Sequence, residues 1–185
     1  MQRDLVERAR KGDHDAFAVL AGTMIARLYA AARLILRDPD RAEDAVQETL
    51  VRCWRDLPTL RDVDRFDAWL HRLFLNACYA ELRSAKRHSI EVEIPEIQHP
   101  SVSDTQSATA DRDLVERGLR GLGQEHRTVI VPHHYLGLPL PDAAAAMGIP
   151  LGTAKSRLHR ATQALRAALD ADSRARPDQP EGRRA

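Results

Sequence analysis

A chain of 185 residues with 28 Lys and Arg against 27 Asp and Glu has room for one domain or two small ones. Its formal charge of +1 excludes no class of partner until the charges are placed along the sequence. Aromatics make up only 4% of the residues while Ala, Leu and Arg abound, which argues against a β-rich fold and for helices.

No uninterrupted run of about 18 apolar residues marks a membrane span. Met1-Gln2-Arg3-Asp4 leads into a charged amphipathic stretch, not a signal-peptide core. The two cysteines, Cys53 and Cys78, stand far apart and outside any CxxC pattern. A cytoplasmic location without membrane insertion is the expectation.

Residues 4–11 read as a short amphipathic helix closed by Gly12. Asp13 caps a longer helix that runs through Phe17, Leu20, Met24, Leu28 and Leu34 to Arg37. Asp38-Pro39 restarts the chain, with Asp as N-cap and Pro at the first helical position. The third helix spaces Ala42, Ala45, Val46, Thr49, Leu50, Cys53 and Leu57 for burial and ends at Pro58.

That helix is acidic: Asp38, Asp40, Glu43, Asp44 and Glu48 face one base, Arg41, up to position 48. Acids in the first turn complement the helix dipole. The dipole does not explain why Asp44, Gln47, Glu48 and Val51 share an outward face. An exposed Val among acids fits a protein partner, since nucleic acid would be repelled.

A fourth helix begins near Asp64 and buries Phe66, Trp69, Leu70, Leu73 and Ala77. Its outer face presents Arg72, Asn76, Tyr79 and Arg83, and Lys86, Arg87 and His88 extend its basic end. Asn reads base edges, Tyr stacks on an unpaired base, and the cations meet phosphate. Taken alone, a solvated charged face explains this helix equally well.

Periodicity stops from Ser89 to Ala110, a stretch with two prolines and many small polar residues that reads as a linker. Within it, residues 90–94 alternate like a strand without a partner. Helical pattern resumes at Asp111 and fades near Leu169, before a polar tail. The expected architecture is all-α: two small helical domains, 1–88 and 111–170, joined by a flexible linker over 89–110, with a disordered tail over 171–185.

The most specific segment runs from Leu138 to Arg160. An Ala-rich helix ends at Met147, Gly148 supplies a left-handed turn, Ile149 is an apolar plug, and Pro150 prevents continuation. The second helix carries Leu151, Ala154, Leu158, Ala161, Leu165 and Leu169 along one stripe. Opposite them lie Thr153, Ser156, Arg157, Arg160 and Gln163, with Lys155 on the flank. Four positive charges and no acid between Leu151 and Leu169 suit a recognition helix, whose Arg bonds guanine edges while Thr, Ser and Lys hold the phosphates. An ordinary basic surface helix shares that face but not the Gly-Ile-Pro turn at this offset.

Three runs carry a resemblance to a known family. Asp40–Trp54 resembles the polymerase-clamp-binding helix of extracytoplasmic-function (ECF) sigma factors of the sigma-70 family. Phe66–Asn76 resembles their segment that opens and reads the −10 element, and Gly148–Arg160 their −35 recognition motif. The resemblance implies an alternative sigma factor whose partners are core RNA polymerase, promoter DNA and an anti-sigma factor. It assigns Asp44, Gln47 and Glu48 to polymerase docking. It places Arg72, Asn76, Tyr79 and Arg83 on the melted −10 strand, and Thr153, Lys155, Ser156, Arg157 and Arg160 in or beside the −35 major groove. It implies no cofactor, no metal and no catalytic residue, because the polymerase performs the chemistry.

Four positions depart from the family pattern. Leu75 stands where a basic residue is common, and Ala80 where an Asp is common. Pro132 falls inside an expected helix, at a cost of about 3 kcal/mol unless a kink accommodates it. Pro139 replaces a frequent Ser cap.

Three other readings compete with this one. A stand-alone DNA-binding regulator would need a ligand pocket, a phosphorylation domain or a dimerisation helix, none of which is legible. An enzyme would have to use His126, His133 and His134 or a Cys53–Cys78 site, and adjacent histidines point to different sides of a helix. An adaptor would bind polymerase without reading DNA.

Overall fold

The structure, a computed structural model, describes residues 1–91, 115 and 117–175. The order is α1 (Gln2–Arg10), α2 (His14–Leu36), α3 (Pro39–Asp56), two 3-10 turns (Leu57–Thr59 and Val63–Arg65), and α4 (Phe66–Glu91). After a helical turn at 117–120 come α5 (Gln124–Ile130), a π-turn (Val131–Tyr135), α6 (Leu140–Met147) and α7 (Leu151–Ala175). Among the described residues there is no strand.

Local chemistry sets the helix starts. The Asp13 carboxylate accepts the Ala16 amide at 2.9 Å, and the Asp38 carboxylate accepts those of Asp40 and Arg41 at 3.0 and 3.1 Å, filling donors that the first turn leaves open. Between α2 and α3 the chain turns through Arg37, whose φ of 60° makes it the one positive-φ residue other than glycine among those described. Asp62 caps the 3-10 turn before α4 by accepting the Asp64 amide at 3.0 Å.

α4 runs through Ser89, Ile90 and Glu91. The first residues assigned to the linker are therefore helical, and Ile90 begins no strand. The rest of the expected linker, from residue 92, lies outside the described residues. α7 likewise extends to Ala175, five residues into the expected tail, and residues 176–185 lie outside those described.

α2 sits at the centre. By length and apolar content it would suit a bilayer, but it serves as a core helix: Leu20, Leu28, Ala31, Ala32 and Ile35 are all buried and it packs on α1, α3 and α4. Against it lie Ala42, Ala45, Val46 and Cys53 of α3, and Phe66, Leu70, Phe74 and Cys78 of α4. Trp54 stacks near His14 and Phe17, at ring separations of 4.5 and 5.0 Å.

The C-terminal helices bury Leu119, Leu122, Val129, Ile130, Leu138, Ala154 and Ala161. At Gly118 the chain comes so close to α7 that an added Cβ would stand 2.7 Å from Leu165 Cδ1. The two halves are not apart: α6 packs on α4, and α2 touches both α5 and the π-turn. Their buried side chains form one continuous apolar cluster.

Candidate nucleic-acid interface

The first helix of the helix-turn-helix, α6, ends as the sequence predicts. Gly148 takes the left-handed conformation at φ 66° and ψ 32°. The Ile149 amide reaches back to the Ala144 carbonyl and the Gly148 amide to that of Ala145, each at 3.1 Å, a Schellman closure. The small buried side chains of Ala143, Ala144 and Ala154 let α6 and α7 cross closely.

On α7, Lys155, Ser156, His159, Arg160 and Gln163 are exposed and Thr153 is half-buried. The Ser156 hydroxyl donates to the Thr153 carbonyl at 3.0 Å, and the side chains of His159 and Gln163 meet at 3.0 Å. His159 was not among the expected contacts. Its signal was the spacing, four residues after Lys155 and four before Gln163, which puts all three on one face.

Two expectations for α7 need correction. Leu151 heads the supposed apolar stripe but is 39% exposed, because it opens the helix beyond the reach of α6. Arg157 does not face outward with Arg160. Its side chain is half-buried, with Nη2 3.6 Å from Glu125 Oε1 of α5, since a residue three positions from both Ala154 and Arg160 falls on the edge of the packed face.

On α4, Arg72, Asn76 and Arg83 are exposed as expected. Tyr79 is not on that face. It is buried, and its hydroxyl donates to the Thr128 carbonyl of α5 at 2.7 Å. Leu75, one turn earlier on the same side, is fully buried as well. A helical wheel showed one buried face of α4, whereas the C-terminal half covers a second. Burial pushes the Tyr79 phenol far above its usual range, and the nearby Arg157 cation opposes that only in part.

On α3, Asp44, Gln47, Glu48 and Val51 are all exposed, Val51 by 60%. Gln47 donates to Glu43 at 3.2 Å and Glu48 pairs with Arg52, leaving an acidic surface around an apolar side chain.

The rings of the adjacent His133 and His134 lie edge to face, with centroids 4.8 Å apart. His133 is engaged with the Leu138 carbonyl at 3.0 Å. Among the described residues no three His, Cys, Asp or Glu side chains converge as a metal site would require.

Comparison with known proteins identifies both halves of the chain. Sigma-70 region 2 matches residues 20–88, and Sigma-70 region 4 matches residues 112–165. The ECF RNA polymerase sigma factor SigL of Mycobacterium tuberculosis is 37% identical over 145 residues, covering 77% of this chain and 82% of its own. The chain belongs to the ECF sigma factors of the sigma-70 family.

RNA polymerase sigma-E factor of Streptomyces coelicolor is 33% identical over 151 residues, covering 80% of this chain and 84% of its own. Among solved structures, CnrH in complex with the cytosolic domain of CnrY superposes with a TM-score of 0.58 at 30% identity, over 93% of this chain and 99% of that one. The sigma factor RpoE of Bartonella quintana, in complex with the anti-sigma factor NepR, gives 0.66 at 28% identity over 81% and 94%.

As an ECF sigma factor the protein binds core RNA polymerase and directs promoter-specific initiation. It is a specificity subunit and not an enzyme.

Proposed function

We propose a division of labour among the three exposed faces. Asp44, Gln47 and Glu48, around Val51, dock on core polymerase. Arg72, Asn76 and Arg83 take the melted −10 strand. Lys155, Ser156 and Arg160, flanked by Thr153, read the −35 duplex, and His159 and Gln163 extend that face. Leu151, exposed at the start of the recognition helix, suits an apolar contact such as a thymine methyl.

The observation that carries this reading is the exposed α7 face. It bears cations and hydrogen-bonding groups without an acid and stands behind a Schellman turn that orients the helix. Arg157 holds α7 to α5 and Tyr79 holds α4 to α5, so neither is assigned to DNA here. The domain limits that go with this reading are a region 2 unit ending near residue 88 and a region 4 unit over 111–170. The protein acts in the cytoplasm, where polymerase and promoters are.

CnrH and RpoE were solved with CnrY and an anti-sigma factor. A regulatory partner of that kind, covering the exposed acidic and basic faces, is part of the proposal.

Run-off transcription from genome fragments, with core polymerase alone and then with the protein, is the test. New discrete start sites that disappear in Arg160→Ala support the assignment. Start sites that survive the loss of Lys155 and Arg160 together would remove α7 as the −35 reader.

A further inference from the structure

α1, α2 and α4 enclose a cavity that belongs to none of the DNA- or polymerase-facing surfaces described above. Its volume is about 280 Å³, at the small end of the roughly 300–1,000 Å³ usual for small-molecule sites. On α2, Leu20, Met24 and Leu28 recur at helical spacing and line it together with Leu70 of α4. All four are buried, so the floor is apolar.

His71 is the polar group that singles this cavity out. The residue is 8% exposed and lines the cavity, yet its ring makes no hydrogen bond to any of the described residues. Buried polar groups ordinarily have a partner. Burial, and after it the Arg27 charge, holds the imidazole below its usual range, with Asp67 opposing. The neutral ring therefore offers one N–H and one lone pair to whatever enters.

Two opposite charges flank that ring, and both line the cavity. Arg27 of α2 uses one guanidinium nitrogen on the Tyr135 carbonyl at 3.0 Å. Asp67 of α4 uses one carboxylate oxygen to accept the Gln2 side-chain amide at 2.8 Å. Among the described residues neither forms an ion pair. Asp67 precedes His71 by one turn, about 6 Å along the helix axis, so the anion and the cation beside His71 stand at different levels of one apolar cavity.

We infer that this cavity is a binding site for a small apolar α-amino acid. The carboxylate lies on Arg27 and the His71 N–H, and the ammonium lies on Asp67, each through charge-assisted hydrogen bonds. The aliphatic or thioether side chain lies on Leu20, Met24, Leu28 and Leu70. A residue within a peptide matches the site less well, because its backbone carries no charge to answer either Arg27 or Asp67. A simple carboxylic acid leaves Asp67 unanswered.

The test uses the full chain, isotope-labelled at its histidines, with the His71 ring signal identified by its loss in His71→Gln. L-leucine and L-methionine are titrated while that signal and the heat of binding are followed. Two further probes are isocaproate, which is leucine without its amine, and N-acetyl-leucinamide, which carries neither charge. Leucine or methionine should move the His71 signal, and both further probes should bind about tenfold or more weakly, the loss expected for a hydrogen bond to a charged group. Asp67→Asn should weaken the amino acids about tenfold and leave isocaproate unchanged, whereas Arg27→Gln should weaken both. Both side chains are exposed, and thermal melts check that the variants fold.

N-acetyl-leucinamide binding as tightly as leucine would overturn the proposal in favour of a protein segment with an apolar side chain. Isocaproate binding as tightly as leucine, with Asp67→Asn without effect, would overturn the amino-acid class. A His71 signal unmoved by either amino acid up to its solubility limit would overturn the site itself.

Discussion

Arg157 Nη2 stands 3.6 Å from Glu125 Oε1, so a residue of the recognition helix is tied to the helix beneath it while its neighbours face outward. The pair is partly solvated, with 27% and 73% of the two side chains exposed, and such pairs contribute about 0–1 kcal/mol. Arg157→Ala should lower stability by no more than that and leave the preference among −35 sequences unchanged. Arg160→Ala should cost about 1–3 kcal/mol on the preferred duplex and relax preference at one position. Fluorescence anisotropy on duplexes with single base changes separates the two, and equal loss of preference in both would return Arg157 to the reading face.

Lys155 on the flank of α7 should act through phosphate. Lys155→Ala should weaken all duplexes alike and reduce the slope of log affinity against log salt by about 1. A change confined to one sequence would instead make Lys155 a base contact.

The two acids that open α3 and line its face should part company. Asp38 accepts two amides of the first turn, so Asp38→Ala should lower stability by about 1 kcal/mol. Asp44 is exposed, and Asp44→Ala should leave the melting temperature unchanged while weakening binding to core polymerase. Urea melts and surface plasmon resonance with immobilised core enzyme give the two quantities.

Cys53 and Cys78 are both fully buried. Burial, and after it the Asp56 charge, pushes the Cys53 thiol up to about 12; burial and Glu81 raise Cys78 as well. Thiolate is the reactive form, so both should resist an aromatic disulfide reagent at pH 8 and react fully once guanidinium unfolds the chain. Rapid reaction of either in the native protein would contradict its place in the core.

His71 supplies a pH dependence. Burial and then the Arg27 charge hold it below its usual 6.5, with Asp67 opposing; His134 is lowered by partial burial and by His133. The unfolded chain therefore takes up these protons first. Stability is fully present above about 6.5 and declines as pH falls toward the folded values. Thermal melts from pH 7.5 to 5.5 should show that decline, and His71→Gln should flatten it. Identical slopes in both proteins would exclude His71 as a contributor.

The features the sequence made legible are those whose cause is local. Asp13 and Asp38 announce helix starts because a carboxylate next to open amides acts within one turn, and Gly148-Ile149-Pro150 announces the sharp turn because only a left-handed residue fits there. The outward exposure of Asp44, Gln47 and Glu48 follows from spacing alone. Tyr79 and Arg157 were misplaced because their burial depends on contacts far away in sequence, from α5 onto α4 and from α5 onto α7. Periodicity identifies a first buried face well, but a second one looks like ordinary polar surface until its cover is known. α2 shows the reverse: a helix apolar enough for a bilayer turns Leu20, Leu28, Ala31, Ala32 and Ile35 into the core and leaves Val19 and Ile25 exposed.

The π-turn has a consequence for how this chain tolerates insertions and deletions. A π-turn is an α-helical segment holding one surplus residue, and each residue advances an α-helix by about 100°. Deleting a single codon within Val131–Tyr135 would let the segment close as a regular helix. The chain's exit, and with it α6 and the reading face of α7, would stay close to where it stands, because the Leu136 amide already closes on Val131 as the next turn of a regular helix would. The π-turn thus takes up a change of length much as a surface loop would, whereas one residue added to the regular part of α7 would turn everything beyond it by about 100°.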